Sequence, residues 1–290
     1  MHRAGNRMGC MKGAGSDWQL NCHLPDGTEL QEHRIRTGRN IVVGDHCRID
    51  YGIRGDEIVI GESAKIREYV WAEGDVRIGS WTEIGSDVIT KQDAYIGEGV
   101  KVGGKLVVYG DLDIGENVEL AKGFEAKGGI EVRNPVPVMI YLLLYFMTLL
   151  HLQREEDVEK FLDELFSEDG GAEQLPLMIP RTSHITLRQF RVPAAMLIGK
   201  GCRLHGNIRA GEIEVLENTV VFGSLRAKGK ITVASGTVIH GILESKGEIL
   251  VQAGAHVLGN VTAKSLVMHE DARIDGTISA PHGLTIRSGA

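Results

Sequence analysis

The 290-residue sequence contains few aromatic residues, few prolines and few cysteines. Aromatic side chains make up 5% of the chain, and there are 7 prolines and 4 cysteines against 38 glycines. So few aromatic side chains suit a thin core of small aliphatic residues, not the wide core of a large globular domain. Four cysteines do not form the dense disulfide framework of a small secreted protein. The formal net charge of −7 argues against general nucleic-acid binding.

The N-terminal region lacks a stretch apolar enough for a signal peptide, so we expect a reducing, cytoplasmic setting. Cys47 and Cys202 fall at the same position of two equivalent repeats, which predicts small buried core residues. Cys10 and Cys22 lie near His23, but two cysteines and one histidine do not complete a tetrahedral metal site. We therefore expect no bound metal and no cofactor.

What the sequence does contain is a repeat of about 18 residues. In the first half, an aliphatic residue followed by glycine returns at spacings of 17, 18, 18 and 18. A period of this length is typical of one coil of a parallel β-solenoid, with three short strands joined by tight corners. The repeated aliphatic residues are Val43, Ile60, Ile78, Ile96 and Ile114 in the first half, and Ile198, Val215, Val233, Val251, Met268 and Ile286 in the second.

The repeat also predicts which residues point inward. Side chains on a strand alternate between its two faces, so the repeated aliphatic residues should form columns inside the solenoid. A further set of glycines falls once per coil, two residues before an aliphatic residue, and we interpret these as corners that need a positive φ. They are Gly74, Gly110 and Gly128 in the first half and Gly211, Gly229, Gly247 and Gly283 in the second.

Changes of period divide the chain into five segments. The fold expected from them is mainly β, with two tandem parallel β-helices of about 18 residues per coil joined by one long α-helix. Pro135 and Pro137 should end the first β-helix, because proline cannot donate to a strand ladder. The segments are a flexible tail (1–27), a first β-helix (28–134), an apolar and amphipathic helix (135–168), a linker (169–184) and a second β-helix (185–290).

Residues 138–152 are apolar on every side of a helix. At 1.5 Å per residue they would span roughly 22 Å, less than the ~30 Å hydrocarbon core of a membrane. We favour a buried helix that covers the open end of the first β-helix or fills a groove between the two; contact with a membrane surface is a second interpretation and a membrane span a third. The side chains expected to make these contacts are Leu142, Leu143, Phe146 and Leu149.

The polar residues form no recognisable catalytic motif. Of the 11 histidines, His205 and His240 flank Phe222 in one column, and we expect solvated or stacking histidines there and not a metal site. The sequence contains no nucleophile elbow and no P-loop. We therefore assign no catalytic, cofactor-binding or metal-binding residue.

The glycine-containing repeats of the second half carry a family resemblance. Gly206-Asn-Ile-Arg-Ala, Gly223-Ser-Leu-Arg-Ala-Lys-Gly and Gly241-Ile-Leu-Glu-Ser-Lys-Gly, with similar segments at Gly259 and Gly276, resemble the bactofilin family of polymer-forming cytoskeletal proteins. The resemblance implies parallel β-helices that stack end to end into filaments or sheets without a nucleotide, often at a membrane. It covers residues 195–290 and extends to the first half only through the period.

A second resemblance points to a different class of function. The first half is similar to hexapeptide-repeat acyltransferases through Ile78-Gly-Ser-Trp-Thr-Glu-Ile84-Gly, which implies a trimeric enzyme dependent on acyl-coenzyme A. Those enzymes repeat the hexad on nearly every face and use a catalytic histidine and usually a projecting loop. Here the hexad occurs mostly once per coil and no coil carries an insertion. A non-enzymatic scaffold is therefore our first hypothesis, and an acyltransferase is the alternative.

The expected partner is a second copy of the chain. An open end of a solenoid presents unpaired backbone groups and an apolar cross-section, which is a template for pairing. Leu284 and Ile286 lie in the last coil and are the predicted self-association residues. A membrane surface, contacted through residues 138–152, is the second expected partner, and no nucleic acid is expected.

Overall fold

The computed structural model describes residues 21–31, 33–133, 135–149 and 175–288. These residues form a β-helix of three long sheets, here called A, B and C, so the predicted β-solenoid is confirmed. The prediction of two separate β-helices joined by a long helix is wrong, because all three sheets continue through both halves of the chain. The described helix, α1, is short, with 12 residues over Val138–Leu149. The helical residues predicted after it lie outside the described residues.

Sheet A has 14 strands. In spatial order they are β19 (Ile130–Val132), β16 (Leu112–Ile114), β13 (Ala94–Ile96), β10 (Val76–Ile78), β7 (Ile58–Ile60), β4 (Ile41–Val43), β20 (Leu177–Ile179), β1 (Cys22–Leu24), β23 (Met196–Ile198), β26 (Ile213–Val215), β29 (Ile231–Val233), β32 (Glu248–Val251), β35 (Ser265–His269) and β38 (Leu284–Arg287). Neighbouring strands lie about 4.8 Å apart, so the molecule is a rod of about 60 Å.

Sheets B and C have 12 strands each. In sheet B the order is β18 (Phe124–Ala126), β15 (Leu106–Val108), β12 (Val88–Thr90), β9 (Val70–Ala72), β6 (Gly52–Gly55), β3 (Arg34–Arg36), β2 (Glu29–Gln31), β24 (Arg203–His205), β27 (Val220–Phe222), β30 (Val238–Ile239), β33 (His256–Val257) and β36 (Arg273–Ile274). In sheet C it is β17 (Glu119–Leu120), β14 (Lys101–Val102), β11 (Glu83–Ile84), β8 (Lys65–Ile66), β5 (Arg48–Ile49), β21 (His184–Thr186), β22 (Gln189–Arg191), β25 (Asn207–Ala210), β28 (Leu225–Ala227), β31 (Leu243–Ser245), β34 (Val261–Thr262) and β37 (Ile278–Ser279).

The predicted interior columns are confirmed. In the second half, Val215, Val233 and Val251 are at most 1% exposed and lie directly over one another in sheet A. The first-half column is equally buried, except for its last member, Ile114, which is half-buried one coil from the end of the rod. In the second half Met268 is likewise half-buried, and Ile286, in the last coil, is exposed. Each strand of about three residues thus contributes one or two aliphatic side chains to a continuous core.

The once-per-coil glycines are explained by close packing between coils, and their interpretation as positive-φ corners is wrong for all but one. Only Gly283 has a φ in the left-handed region, at 122°. A Cβ atom added to Gly128 would lie 2.6 Å from the carbonyl oxygen of Gly110 in the preceding coil, so a larger residue would push the two coils apart. The corners with positive φ lie elsewhere, at residues such as His46 and Trp81.

The two halves meet start to start at the centre of the rod. From β4 the first half runs outward to β19, and from β23 the second half runs outward to β38 in the opposite direction. Between them, β1 and β20 pair antiparallel, with His23 opposite Met178. His23 and Met178 are 155 positions apart in the sequence, which is the same separation as between other equivalent residues of the two halves near the centre, such as Cys47 and Cys202. The rod therefore has an approximate two-fold axis across its centre, and we call its halves the first run and the second run.

Each run begins with a segment that stacks on the other run. Residues 22–31 form β1 and β2, which pair with β23 and β24 of the second run. Residues 177–186 form β20 and β21, which pair with β4 and β5 of the first run. Antiparallel hairpins, β2–β3 and β21–β22, then return the chain to its own run. We call residues 22–31 and 177–186 the exchanged segments. The prediction that residues 22–27 belong to a flexible tail and residues 177–184 to a linker is therefore wrong, because β1 and β20 lie within them.

Equivalent hydrogen bonds fix the two exchanged segments. The Cys47 thiol donates to the carbonyl oxygen of Pro180 over 3.1 Å, and the Cys202 thiol donates to that of Pro25 over 3.3 Å. Both cysteines are 1% exposed, which confirms the prediction of buried core residues. Burial raises the pKa of Cys47 to about 12 and that of Cys202 to about 11, so both thiols stay neutral and keep these bonds near neutral pH.

Candidate self-association surfaces

The two ends of the rod are the outermost strands of the three sheets. We call β17, β18 and β19 end 1, and β36, β37 and β38 end 2. Each of these strands pairs with one neighbouring strand, on its inner side. Their other edge presents backbone N–H and C=O groups that a further strand could pair with.

End 2 contains both residues predicted to mediate self-association. Leu284 and Ile286 continue the buried columns of sheet A, because they pair with Leu266 and Met268 of the preceding coil. Leu266 is fully buried, whereas Leu284 is 47% and Ile286 61% exposed. Ile278, in sheet C, is 40% exposed for the same reason. End 2 therefore displays the apolar core of the rod in cross-section.

End 1 displays an equivalent cross-section, which the sequence analysis missed. Ile130 and Val132 continue the columns of Leu112 and Ile114, and they are 52% and 74% exposed. Phe124, in sheet B, is 47% exposed. The signal was available: Val132 lies 18 residues after Ile114 and extends the same repeat. It was overlooked because the helix that follows was expected to cover this end.

Helix α1 lies along the side of the rod, next to the outer surface of sheet A. The hydroxyl of Tyr145 accepts a hydrogen bond from the Asn40 side chain over 3.0 Å, and Asn40 directly precedes β4 near the centre. The guanidinium of Arg77, in β10, lies 4.0 Å from the ring centre of Tyr141. The helix thus runs from the level of β10 back toward β20. Its described contacts are with the side of sheet A and not with end 1.

The side chains predicted to make helix contacts are described in part. Leu142 is 3% exposed, and with Val138 it lines a small apolar cavity beside Val42 and Ile179. Leu143 is half-buried, and the side chains of Phe146 and Leu149 lie outside the described residues. Among the described residues, no helix is long and apolar enough to cross a membrane. Contact of residues 138–152 with a membrane surface stays a prediction.

A partly buried polar group holds the helix against the sheet. The Tyr141 hydroxyl lies 3.4 Å from the Glu57 carboxylate. Burial, together with the nearby charge of Asp75, raises the pKa of Glu57, and burial also raises that of Tyr141. These groups lie at the level of β7 and β10, beside the first turns of the helix.

The outward side chains differ between the two ends. At end 1 each strand carries a glutamate: Glu119 in β17, Glu125 in β18 and Glu131 in β19. We call these three the end-1 glutamates. At end 2, Arg273 and Asp275 pair over 2.7 Å, and His256 contacts the other oxygen of Asp275 over 2.8 Å. These two hydrogen bonds lower the pKa of Asp275.

The column of His205, Phe222 and His240 is a stack of rings. The rings of His205 and Phe222 stack at 4.5 Å and those of Phe222 and His240 at 4.6 Å, so of the two expected alternatives, solvated or stacking histidines, these two histidines stack. Within the described ranges, no group of three or more histidine, cysteine, aspartate or glutamate side chains could hold a metal ion. Cys22 and His23 are both buried in β1, and Cys10 lies outside the described residues.

Comparison with known proteins gives one match. Residues 191–290 match the family model described as Bactofilin, polymer-forming cytoskeletal. The comparisons with curated proteins and with solved structures each found no match. The matched region starts at the end of β22 and extends through end 2. The resemblance to the bactofilin family that the glycine segments carry is therefore confirmed for the second run.

Proposed function

We propose that this protein is a non-enzymatic scaffold that assembles into polymers through the two ends of its rod. The observation that carries the proposal is the apolar cross-section exposed at both ends. A protein with one such end can form only a closed pair, whereas a rod with two can form a chain of many copies. Cytoplasmic assembly is part of the proposal, supported by buried free thiols at Cys22, Cys47 and Cys202.

The join between the two runs at the centre of the rod is an example, within one chain, of the kind of contact that we propose between copies. There, two runs of opposite direction already join through the antiparallel strands β1 and β20, and their cores merge into one. A second copy placed on an end could extend the three sheets in the same manner. It would pair the free strand edges and bury residues such as Ile130 and Ile286, which are half or more exposed.

The test is to place a charge in each end. Ile286→Arg at end 2, or Ile130→Arg at end 1, would bury an unpaired guanidinium in the contact. We expect each substitution to weaken association through its end by roughly a hundredfold or more, which corresponds to ~2.7 kcal/mol. The rod should persist, because the last coil of a solenoid can fray without unfolding its neighbours.

Sedimentation velocity and electron microscopy of the wild type and both variants make the measurement, with circular dichroism to verify the strands. Ile242→Arg is the matched control, since Ile242 is 36% exposed on the side of the rod and away from both ends. Assembly that is unchanged in both end variants would contradict the proposal. A discrete trimer that binds acyl-coenzyme A would support the acyltransferase alternative instead.

A further inference from the structure

We propose that the two ends are selective for each other: end 1 of one copy pairs with end 2 of the next, and not with another end 1. This inference rests on the proposed function, since it concerns which ends meet when copies assemble. It follows from the charges around the apolar cross-sections, which themselves are alike.

The end-1 glutamates surround the apolar cross-section, one in each sheet. Glu119 lies in sheet C, Glu125 in sheet B and Glu131 in sheet A. Each points outward beside an inward aliphatic or aromatic residue, and their side chains are 67%, 55% and 60% exposed. An anion therefore borders every strand that a second copy would meet at this end.

End 2 has different residues at the equivalent positions. Both runs have six strands in sheet A beyond the exchanged segments, so the strands of the two ends correspond one to one. By this correspondence the positions of Glu119, Glu125 and Glu131 at end 1 are occupied at end 2 by Arg273, Ser279 and Thr285, in that order. Arg273 is 73% exposed. End 2 thus has one cation and two neutral side chains where end 1 has three anions.

Two copies that meet through end 1 would bring glutamates together in every arrangement. Whichever sheet of the second copy continues sheet A, each end strand carries a glutamate and meets a strand that carries another. Like charges on directly paired strands are destabilising. On the end strands of end 2 the positions equivalent to these glutamates carry no anion, so pairing with end 2 avoids the contacts between glutamates. Arg273 is already paired with Asp275 over 2.7 Å, so it adds only a small attraction. The selectivity therefore does not depend on how one rod is rotated relative to the next.

The cations of end 1 do not remove this repulsion. Lys101 and Lys105 contact Glu119 and Glu125 over 2.9 and 2.6 Å, but both lysines belong to the preceding coil and lie behind the contact. Lys127 of the last coil is also near Glu125, but its Nζ lies over the ring of Tyr109 in the preceding coil, 3.9 Å from the ring centre. Arg133 is shared between Glu131 and Asp113. Exposed pairs of this kind neutralise the charge only in part.

The selectivity gives the polymer a direction. Every copy has one end of each kind, so any contact between two copies of end 2 leaves a copy of end 1 without an acceptable partner. In a long polymer every end can then have an acceptable partner only if end 1 of each copy pairs with end 2 of the next, so that every rod points the same way. A rod with approximate two-fold symmetry would by itself build a chain without direction.

Mixing two end-blocked variants tests the proposal. Ile286→Arg leaves only end 1 and Ile130→Arg leaves only end 2. In sedimentation velocity we expect Ile286→Arg alone to remain monomeric and Ile130→Arg alone to associate less than the mixture. The equimolar mixture should form a dimer of the two variants. If each variant alone dimerises as strongly as the mixture, the selectivity is refuted while polymerisation through the ends stands. If neither the mixture nor the wild type associates, the proposed function itself has failed.

Replacing the end-1 glutamates tests whether their charges cause the selectivity between the two ends. In the Ile286→Arg background, Glu119→Gln, Glu125→Gln and Glu131→Gln together should strengthen self-association through end 1 about tenfold, which corresponds to ~1.4 kcal/mol. Glu83→Gln in the same background is the matched control, because Glu83 pairs with Lys65 in sheet C but lies two coils away from end 1. No gain in the triple variant, or an equal gain in the control, would refute the role of the end-1 glutamates.

Discussion

The first and second runs have the same interior and different surfaces. Both stack aliphatic residues in the same columns, and both start with an exchanged segment. On the outer surface of sheet C, however, the first run alternates charges: Lys65 pairs with Glu83 over 2.9 Å, and Lys101 pairs with Glu119 over 2.9 Å. At the equivalent positions of the second run, in sheet B, Val220 and Val238 replace Lys65 and Glu83. In sheet C the second run places three arginines directly over one another, Arg191, Arg209 and Arg226, where the equivalent column of the first run, in sheet B, has Arg36, Arg54 and Trp71.

This difference shows what the fold requires and what it leaves free. A coil needs its inward aliphatic residues and its close glycine contacts, because any change there affects the coils on both sides. Outward positions face solvent, so their charges can diverge with little effect on stability. The two ends of the rod therefore share a shape while their charges differ.

The largest effect is expected from a charge in the equivalent interior columns. Ile78→Asp in the first run and Val233→Asp in the second each replace a side chain that is at most 1% exposed. Both should lower the free energy of unfolding by about 3–5 kcal/mol, because a buried charge without a partner is poorly solvated. Thermal unfolding measures the effect, and Thr232→Asp, at a neighbouring outward position, is the control. An unchanged midpoint for either variant would show that its column is not interior.

The next effect concerns the glycines that contact the exchanged segments. A Cβ on Gly44 would lie 2.5 Å from the backbone nitrogen of Arg181, and one on Gly199 would lie 2.6 Å from that of Asp26. Gly44→Ala and Gly199→Ala should therefore each destabilise the rod by about 1–3 kcal/mol in chemical denaturation.

Gly38→Ala is the control for these two substitutions, because a Cβ there meets no atom within 4 Å and its φ is not positive. It should be neutral or slightly stabilising. Equal effects in all three variants would mean that loss of glycine flexibility, and not the close approach of the exchanged segments, causes the change.

The centre of the rod should respond to pH because one side of its axis carries a histidine and the other a methionine. Burial lowers the pKa of His23, whose Nδ1 lies 3.0 Å from the carbonyl oxygen of Pro176. The unfolded chain then binds a proton more readily than the folded one below about pH 6.5. Stability should fall as the pH drops below this value.

His23→Met matches the residue at the equivalent position, Met178, and removes the titration. We expect a smaller loss of stability between neutral and mildly acidic pH than in the wild type, measured by denaturation at several pH values. His256→Gln, which removes a surface histidine near end 2, is the control. An unaltered pH dependence in His23→Met would contradict the role of His23.

The smallest effect is expected from exchanging the surface patterns of the two runs. Glu83→Lys would place three lysines in a row in the first run, and Arg209→Glu would interrupt the arginine row of the second. The first should destabilise and the second stabilise by a few tenths of a kcal/mol at low salt. Both changes should vanish at high ionic strength, since exposed charges are screened. A change that persists in salt would indicate a packing effect.

The sequence was sufficient to predict the coil and its core. A spacing of 17 or 18 residues allows three strands per coil, and the alternation of aliphatic and polar residues determines which side chains face inward. Val43 and Val233 were placed correctly on that basis alone. These features are local, because each coil contacts only its neighbours along the chain.

The join between the two runs could not be predicted from the same pattern. Periodicity says that each coil lies on the previous one, but the first coil of a run has no predecessor. Residues 22–24 are too few to show a repeat, and their partner strands lie about 150 or more positions later. End 1 was missed for a related reason: the apolar sequence of α1 does not specify which surface of the rod it contacts.

The exchanged segments also determine which contacts survive dilution. Asp26 accepts a hydrogen bond from the backbone nitrogen of Lys200, 174 positions away. During synthesis, β1 therefore has no partner strand until β20 and β23 have left the ribosome, while β2 can pair with β3 and the coils of the first run can stack as they emerge. Once both runs exist, one covalent chain holds them together, so their meeting does not depend on the concentration of the protein. The centre of the rod therefore stays joined even in the most dilute solution, and in the proposed polymer only the contacts between ends would depend on how many copies the cell contains.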